Sequence, residues 1–171
     1  MAARSRTKVR PPSAAATPPD LDRVDRTILR LLQRDASVSN VALAAKVHLS
    51  PAACLRRVER LKSMGLVRRL VALLDPVPLG LGMRVVIGVV LDRSTPQSFA
   101  DFEKAVQKVP GCLDCVVVTG EFDYFVTIRT HDNESFNRLH AAELLFLPGV
   151  RQIRTFVVLK QVLSTTELPI A

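Results

Sequence analysis

The densest chemistry in the chain sits in "LSPAACLRRVERLKSMG", residues 49–65. Ser50 followed by Pro51 is a helix start, because Ser caps free N–H groups and Pro is favoured at the first helical position. On such a helix Ala53, Arg56, Arg57 and Arg60 fall at i, i+3, i+4 and i+7 and share one face. Leu55, Val58 and Leu61 form a separate apolar stripe. Ala52 and Ala53 are small enough to let the helix tip approach base edges and thymine methyls. The arginines behind them could reach guanine edges or phosphates. A solvated basic face on a core helix would use the same residues; the surrounding charge favours DNA. Ser39, Asn40, Ser50 and Pro51, at the starts of two successive helices, complete the candidate DNA-facing set.

A second candidate is the turn in "VVVTGEFDYFVTIR", residues 116–129. Two apolar runs flank Gly120, Glu121, Phe122 and Asp123. A plain hairpin needs only a glycine there, so two acids and an aromatic leave room for a binding role. The competing assignment makes Asp123 a turn cap and nothing more.

Other reactive residues carry less. Cys112 and Cys115 form a CxxC pair inside an expected strand, where residues three apart point to opposite faces. No second pair or His spacing supplies the remaining zinc ligands, so neither a metal nor any other cofactor is expected. No nucleophilic triad or phosphate-binding loop is readable, and nothing asks for an enzyme.

Charge places these residues in context. The chain of 171 residues has a formal net charge of +8, with nine basic against five acidic groups in residues 20–65 and nine against ten in 81–171. A basic N-terminal half joined to a near-neutral remainder suggests a polyanion-binding module carrying a second domain. Three cysteines without a secretory signal point to a reducing cytoplasm, and no apolar stretch is long enough for a membrane span.

The elements follow from periodicity. Residues 1–19 lack apolar periodicity and carry two Pro-Pro pairs, which reads as a disordered basic arm; composition favours a solvated tail over extra phosphate contacts. Residues 20–65 predict three helices. The first is capped by Asp20, with Leu21, Val24, Ile28, Leu31 and Leu32 on one face. The second runs from Ser39 to Val47, and the third from Ser50 to Met64, with Gly65 as its left-handed cap. The short link between the last two matches a helix-turn-helix, with His48 at the turn. Residues 66–82 predict a strand and linker. Over 83–168 the expected order is βαββαβ, a ferredoxin-like unit and so an α+β chain overall. Its strands are Arg84–Leu91, Cys112–Thr119, Tyr124–Thr130 and Val150–Leu159, and its helices Pro96–Val109 and Asn133–Leu147. The inward residues of the second helix are Phe136, Leu139, Ala142 and Phe146. "RVVIGVVL" is apolar on both faces, so the sheet needs a second covering layer and the protein should be an obligate oligomer, at least a dimer.

Over residues 20–168 the chain resembles the Lrp/AsnC family of transcriptional regulators. The carriers are "LDRVDRTILRLLQRDASVSNVALAAKVHLSPAACLRRVERLKSMGLVRRLVALLDPVPLG", "VVVTGEFDYFVTIR" and "LPGVRQIRTFVVLK". The resemblance implies a DNA-reading domain followed by an effector and oligomerisation domain. It also implies dimers that assemble to tetramers or octamers, and amino acids or related metabolites as effectors. The family's recognition helix falls on Ser50 to Lys62. Its effector loop falls on Thr119, Gly120, Asp123 and Tyr124, with Glu121 and Phe122 between them. Departures are His48, where Gly or Asn often stands, and Ala52-Ala53, where the tip is often polar. The expected partners are thus a pseudo-palindromic double-stranded DNA site, further copies of the chain, and an amino-acid effector. Two competing functions are an RNA-binding ferredoxin-like protein and a metabolite-sensing subunit that does not bind DNA. The first is weakened because the central strands offer only Tyr124 and Phe125 for stacking.

Overall fold

The computed structural model describes residues 19–93 and 95–170. The basic arm expected over 1–19 lies almost wholly outside them. Two compact units are present: one reaches Val71 and includes the segment from Thr165, and the other is Ala72–Ser164.

The first unit contains α1 (Arg23–Arg34), α2 (Asn40–Lys46) and α3 (Pro51–Ser63). The cap of α1 is Asp22, not Asp20. Asp22 accepts from the Asp25 N–H at 2.8 Å, and the Asp25 carboxylate reaches back to the Asp22 N–H at 3.4 Å. Only Asp22 has an acid three residues on, so only it can form this reciprocal box. Ile28, Leu43, Ala44, Cys54 and Leu61 make the buried core of the three helices. Cys54 occupies the place expected of Leu55, which is exposed. Cys54, Val58 and Leu61 lie at i, i+4 and i+7, so the buried stripe is rotated one residue from the expected one.

Residues 66–82 form no strand. Leu70, Val71, Leu73 and Leu74 are exposed there. An extended run becomes a strand only when another backbone pairs with it, and none does so here.

The second unit is a four-stranded antiparallel sheet in the order β2-β3-β1-β4, with β1 Met83–Leu91, β2 Cys112–Val117, β3 Tyr124–Thr130 and β4 Val150–Val157. Helices α4 (Pro96–Val106) and α5 (Asn133–Ala142) cover one face of the sheet, giving βαββαβ. Val85, Ile87, Val89, Tyr124, Val126 and Ile128 pack against Phe102, Val106, Val109 and Phe136. Full burial of side chains of this size contributes roughly 1.5–3 kcal/mol each. The expected second helix is shorter than its sequence pattern. It ends at Ala142, and a 3-10 turn at Leu144–Phe146 shifts the phase, burying Leu144 and Leu147 while Phe146 points outward. Ala142 is exposed as well.

Candidate nucleic-acid interface and effector turn

The turn leading into α3 is built from backbone. Leu49 N–H donates to the Ala44 carbonyl at 3.0 Å, and His48 adopts φ 55°, the left-handed conformation that a helix end commonly requires. Ser50 then accepts from the Ala53 N–H at 3.2 Å, with Pro51 at the first position of α3. Asn40, at the start of α2, donates from Nδ2 to the Pro51 carbonyl at 2.8 Å. Ser39 accepts from the Ala42 N–H at 3.2 Å. Ser39, Asn40 and Ser50 therefore hold the two helices in place. The two serine hydroxyls, acting as acceptors, keep their own proton to donate elsewhere.

Ala53, Arg56, Arg57 and Arg60 do share a face and line one shallow concavity together with Asp22 and Leu49. The arginines are not equivalent. Arg57 donates to Asp22 at 2.6 Å and to Asp25 at 2.8 Å, and Arg60 also binds Asp25. Asp25 is fully buried at the base of α1. The backbone N–H of Asp25, and after it the Arg57 guanidinium, holds the Asp22 carboxyl below its ordinary value. Two acids thus balance two arginines, and Arg56 makes no ion pair with any described residue. It is exposed beside Ala52 and Ala53. Sequence reading missed Asp22 and Asp25 as partners, since helical spacing relates residues on one helix and not residues on α1 and α3.

The hairpin between β2 and β3 closes by Val118 N–H donating to the Asp123 carbonyl at 3.0 Å. Gly120 sits at φ 117°, which side-chain-bearing residues rarely adopt. Asp123 is committed to the fold. Its N–H donates to the Val89 carbonyl at 2.9 Å, and its Oδ2 accepts from Leu91 N–H at 2.7 Å. It ties the turn to the end of β1. Tyr124 is buried between Phe99 and Phe102 and donates to Glu103 at 3.0 Å. Burial, and then the bond to Glu103, pushes its hydroxyl pKa well above the ordinary value.

The remaining groups of the turn face outward. Glu121 pairs with Arg154 at 2.6 Å, and the Arg154 guanidinium lies 5.6 Å from the Phe122 ring centre. Phe122 lies close over Gly88: a β-carbon at residue 88 would come within 2.7 Å of the ring. Phe125 and Phe156 flank it with ring centres 5.2 and 6.4 Å away. Thr119, Gly120 and Glu121 are the exposed tip. The expected six residues are therefore brought together as one stretch, but Asp123 and Tyr124 face the fold rather than solvent.

Cys112 and Cys115 also depart from expectation. A register shift between Cys112 and Asp114 puts both against the helix-side core instead of on opposite faces. Burial, followed by the neighbouring Cys112 and acids, pushes the Cys115 thiol up to about 12, far from a reactive thiolate. Among the described residues no group of three or more His, Cys, Asp or Glu is placed to hold a metal ion, and no helix is long and apolar enough to cross a membrane.

Known proteins share this architecture. Residues 21–62 match the AsnC-type helix-turn-helix domain, and residues 84–168 match the Lrp/AsnC ligand binding domain. The leucine-responsive regulatory proteins of Klebsiella pneumoniae and Escherichia coli K12 are 42% identical over 151 residues, covering 88% of this chain and 92% of theirs. A transcriptional regulator of Neisseria meningitidis, solved in complex with L-Met, superposes with a TM-score of 0.84 at 37% identity, covering 88% of this chain and 97% of its own. An AsnC family transcriptional regulator from Agrobacterium tumefaciens gives 0.82 at 30% identity, covering 87% and 97%. With a helix-turn-helix of this type joined to a ligand-binding domain of this type, the chain belongs to the Lrp/AsnC family of transcriptional regulators.

Proposed function

We propose that α3 enters the major groove of a pseudo-palindromic DNA site, with Ala52 and Ala53 at the tip and Arg56 as its principal free cation. Arg57 and Arg60 lie on the flank of the same face, held by Asp25. Ser39, Asn40, Ser50 and Pro51 fix the angle of the helix, and the two serine hydroxyls can donate to phosphate. The single observation that carries this reading is the asymmetry of the three arginines of α3: of Arg56, Arg57 and Arg60, Arg56 alone has no acid partner among the described residues. Replacing Arg56 by Ala should weaken binding to a specific duplex about 10- to 100-fold in a gel shift, as loss of a base or phosphate contact costs ~1–3 kcal/mol. The parent should also lose affinity steeply with salt. An Arg56→Ala variant with parental affinity would sink the assignment.

The chain acts as a dimer or a dimer-based assembly. Leu113, Val116 and Val117 on the edge strand β2, Phe156 and Val157 at the end of the other edge strand β4, and Leu159 just beyond it are exposed apolar side chains of the kind that clusters at protein–protein contacts. A two-fold assembly would read two half-sites, which makes the site pseudo-palindromic. Its effector is an amino acid, taken by the exposed turn Thr119–Gly120–Glu121 beside Phe122. Support comes from the likeness to the regulator solved with L-Met. A thermal-shift screen of the twenty amino acids, read beside solution mass, tests both points. No shift with any amino acid would remove this effector class, and a monomeric mass would remove the assembly.

A further inference from the structure

The segment Thr165–Ile170 groups with the helical unit, although it follows the last strand of the sheet in sequence. Its hydrogen bonds to that unit all fall on one stretch of α1. Gln33 makes a reciprocal pair with a single residue: its Oε1 accepts from Leu168 N–H at 2.7 Å, and its Nε2 donates to the Leu168 carbonyl at 3.2 Å. A side-chain amide used in this way copies the two-bond exchange between paired strand residues and selects one register of the bound backbone. On either side Arg34 pairs with Glu167 at 3.3 Å, and Arg30 donates to the Ile170 carbonyl at 3.5 Å. The Ile170 side chain packs against the core that contains Ile28 and Leu61, whereas Leu168 is 71% exposed. Recognition thus rests on bonds to backbone groups, one exposed ion pair and one apolar anchor.

We propose that this stretch of α1 is a docking seat for the chain's own segment Thr165–Ile170, and that the seated segment completes the DNA-reading unit. The helix that offers Gln33 at one end presents Asp25, the anchor of Arg57 and Arg60, at the other. Only the DNA arm of the test rests on the function proposed above. The full chain is compared with a chain stopped after Ser164 and with the variants Gln33→Ala and Ile170→Asp. In the full chain the Leu168 amide exchanges slowly with deuterium; in Gln33→Ala it exchanges at least about tenfold faster. The stopped chain melts several degrees lower, and its affinity for duplex DNA falls about threefold or more. A synthetic peptide of residues 163–171 restores the melting temperature of the stopped chain, because ligand binding to the folded state raises stability. It fails to do so when Gln33→Ala is also present. Exchange of 165–170 at the rate of a free peptide in the full chain, or a stopped chain that melts with its parent, overturns the proposal. If Arg56→Ala binds DNA like the parent, the DNA reading fails, while the melting and exchange arms still decide the docking.

Discussion

Helix α3 and the turn between β2 and β3 each present a cluster of polar groups, and in each most of the cluster is already bonded inside the protein. At α3 the bonding is side chain to side chain, between Arg57, Arg60 and the buried Asp25. The guanidinium groups stay half-exposed, so they retain donors for a partner. At the turn, Asp123 gives one oxygen to the Leu91 N–H and its own N–H to Val89, so its charge serves the backbone. An ion pair can thus hold a functional group in place without consuming it, whereas a backbone bond of this kind turns a candidate ligand contact into part of the scaffold.

The sharpest way to break this contrast is to remove both held arginines. Arg57→Ala with Arg60→Ala leaves Asp25 buried without its cations, and should lower the stability of the helical unit by about 2–4 kcal/mol in urea unfolding. That is at or below the ~3–5 kcal/mol of a fully buried pair, since the arginines are partly exposed. Adding Asp25→Leu should recover much of that loss without recovering DNA binding. A double variant as stable as its parent would show that the cluster holds nothing.

Next in size is Arg56→Ala, whose effect should appear in binding and not in folding. The melting curve should stay within about 0.5 kcal/mol of the parent while DNA affinity drops. At the turn, Asp123→Ala should cost about 1–2 kcal/mol, because the Leu91 N–H loses its acceptor. Asp123→Asn should keep most of the stability through its amide oxygen. If the alanine variant is as stable as the parent but loses effector binding, Asp123 is a ligand contact after all.

The smallest effect concerns pH. The Asp22 carboxyl is held below its ordinary value of 3.8 in the folded chain, so its contribution is present above that value and disappears as pH falls through the folded one. Asp22→Asn should therefore flatten the loss of stability of the helical unit below about pH 4. Parallel acid unfolding curves for parent and variant would assign that loss to other groups.

Sequence carried the architecture because apolar periodicity reports burial directly. β3 begins and ends where its alternation does, and α3 begins at its Ser-Pro signal. The errors fall where a second strand, helix or turn decides. The bulge beside Cys112 flips a side chain without changing composition, and the 3-10 turn after Ala142 rotates Phe146 outward while the apolar pattern runs on. The extended run in 66–82 has no pairing backbone, so its propensity alone makes no strand. At the sites, residue types were readable but partners were not. Asp25 was visible as an acid near the start of a helix, yet nothing local says that two arginines more than thirty residues away converge on it. The reciprocal box of Asp22 and Asp25 was the one missed signal that lay open in the sequence.

Asp25 also has a consequence for the timing of disorder. A free arginine side chain samples many rotamers, and ordering one removes entropy worth on the order of 1.5–2 kcal/mol. Because Arg57 and Arg60 are tethered when the helices fold, much of that loss occurs during folding and not during encounter with DNA. Arg56 keeps its freedom until contact. In the DNA contact proposed above, the same face would therefore offer a duplex two preset cations and one that can still search.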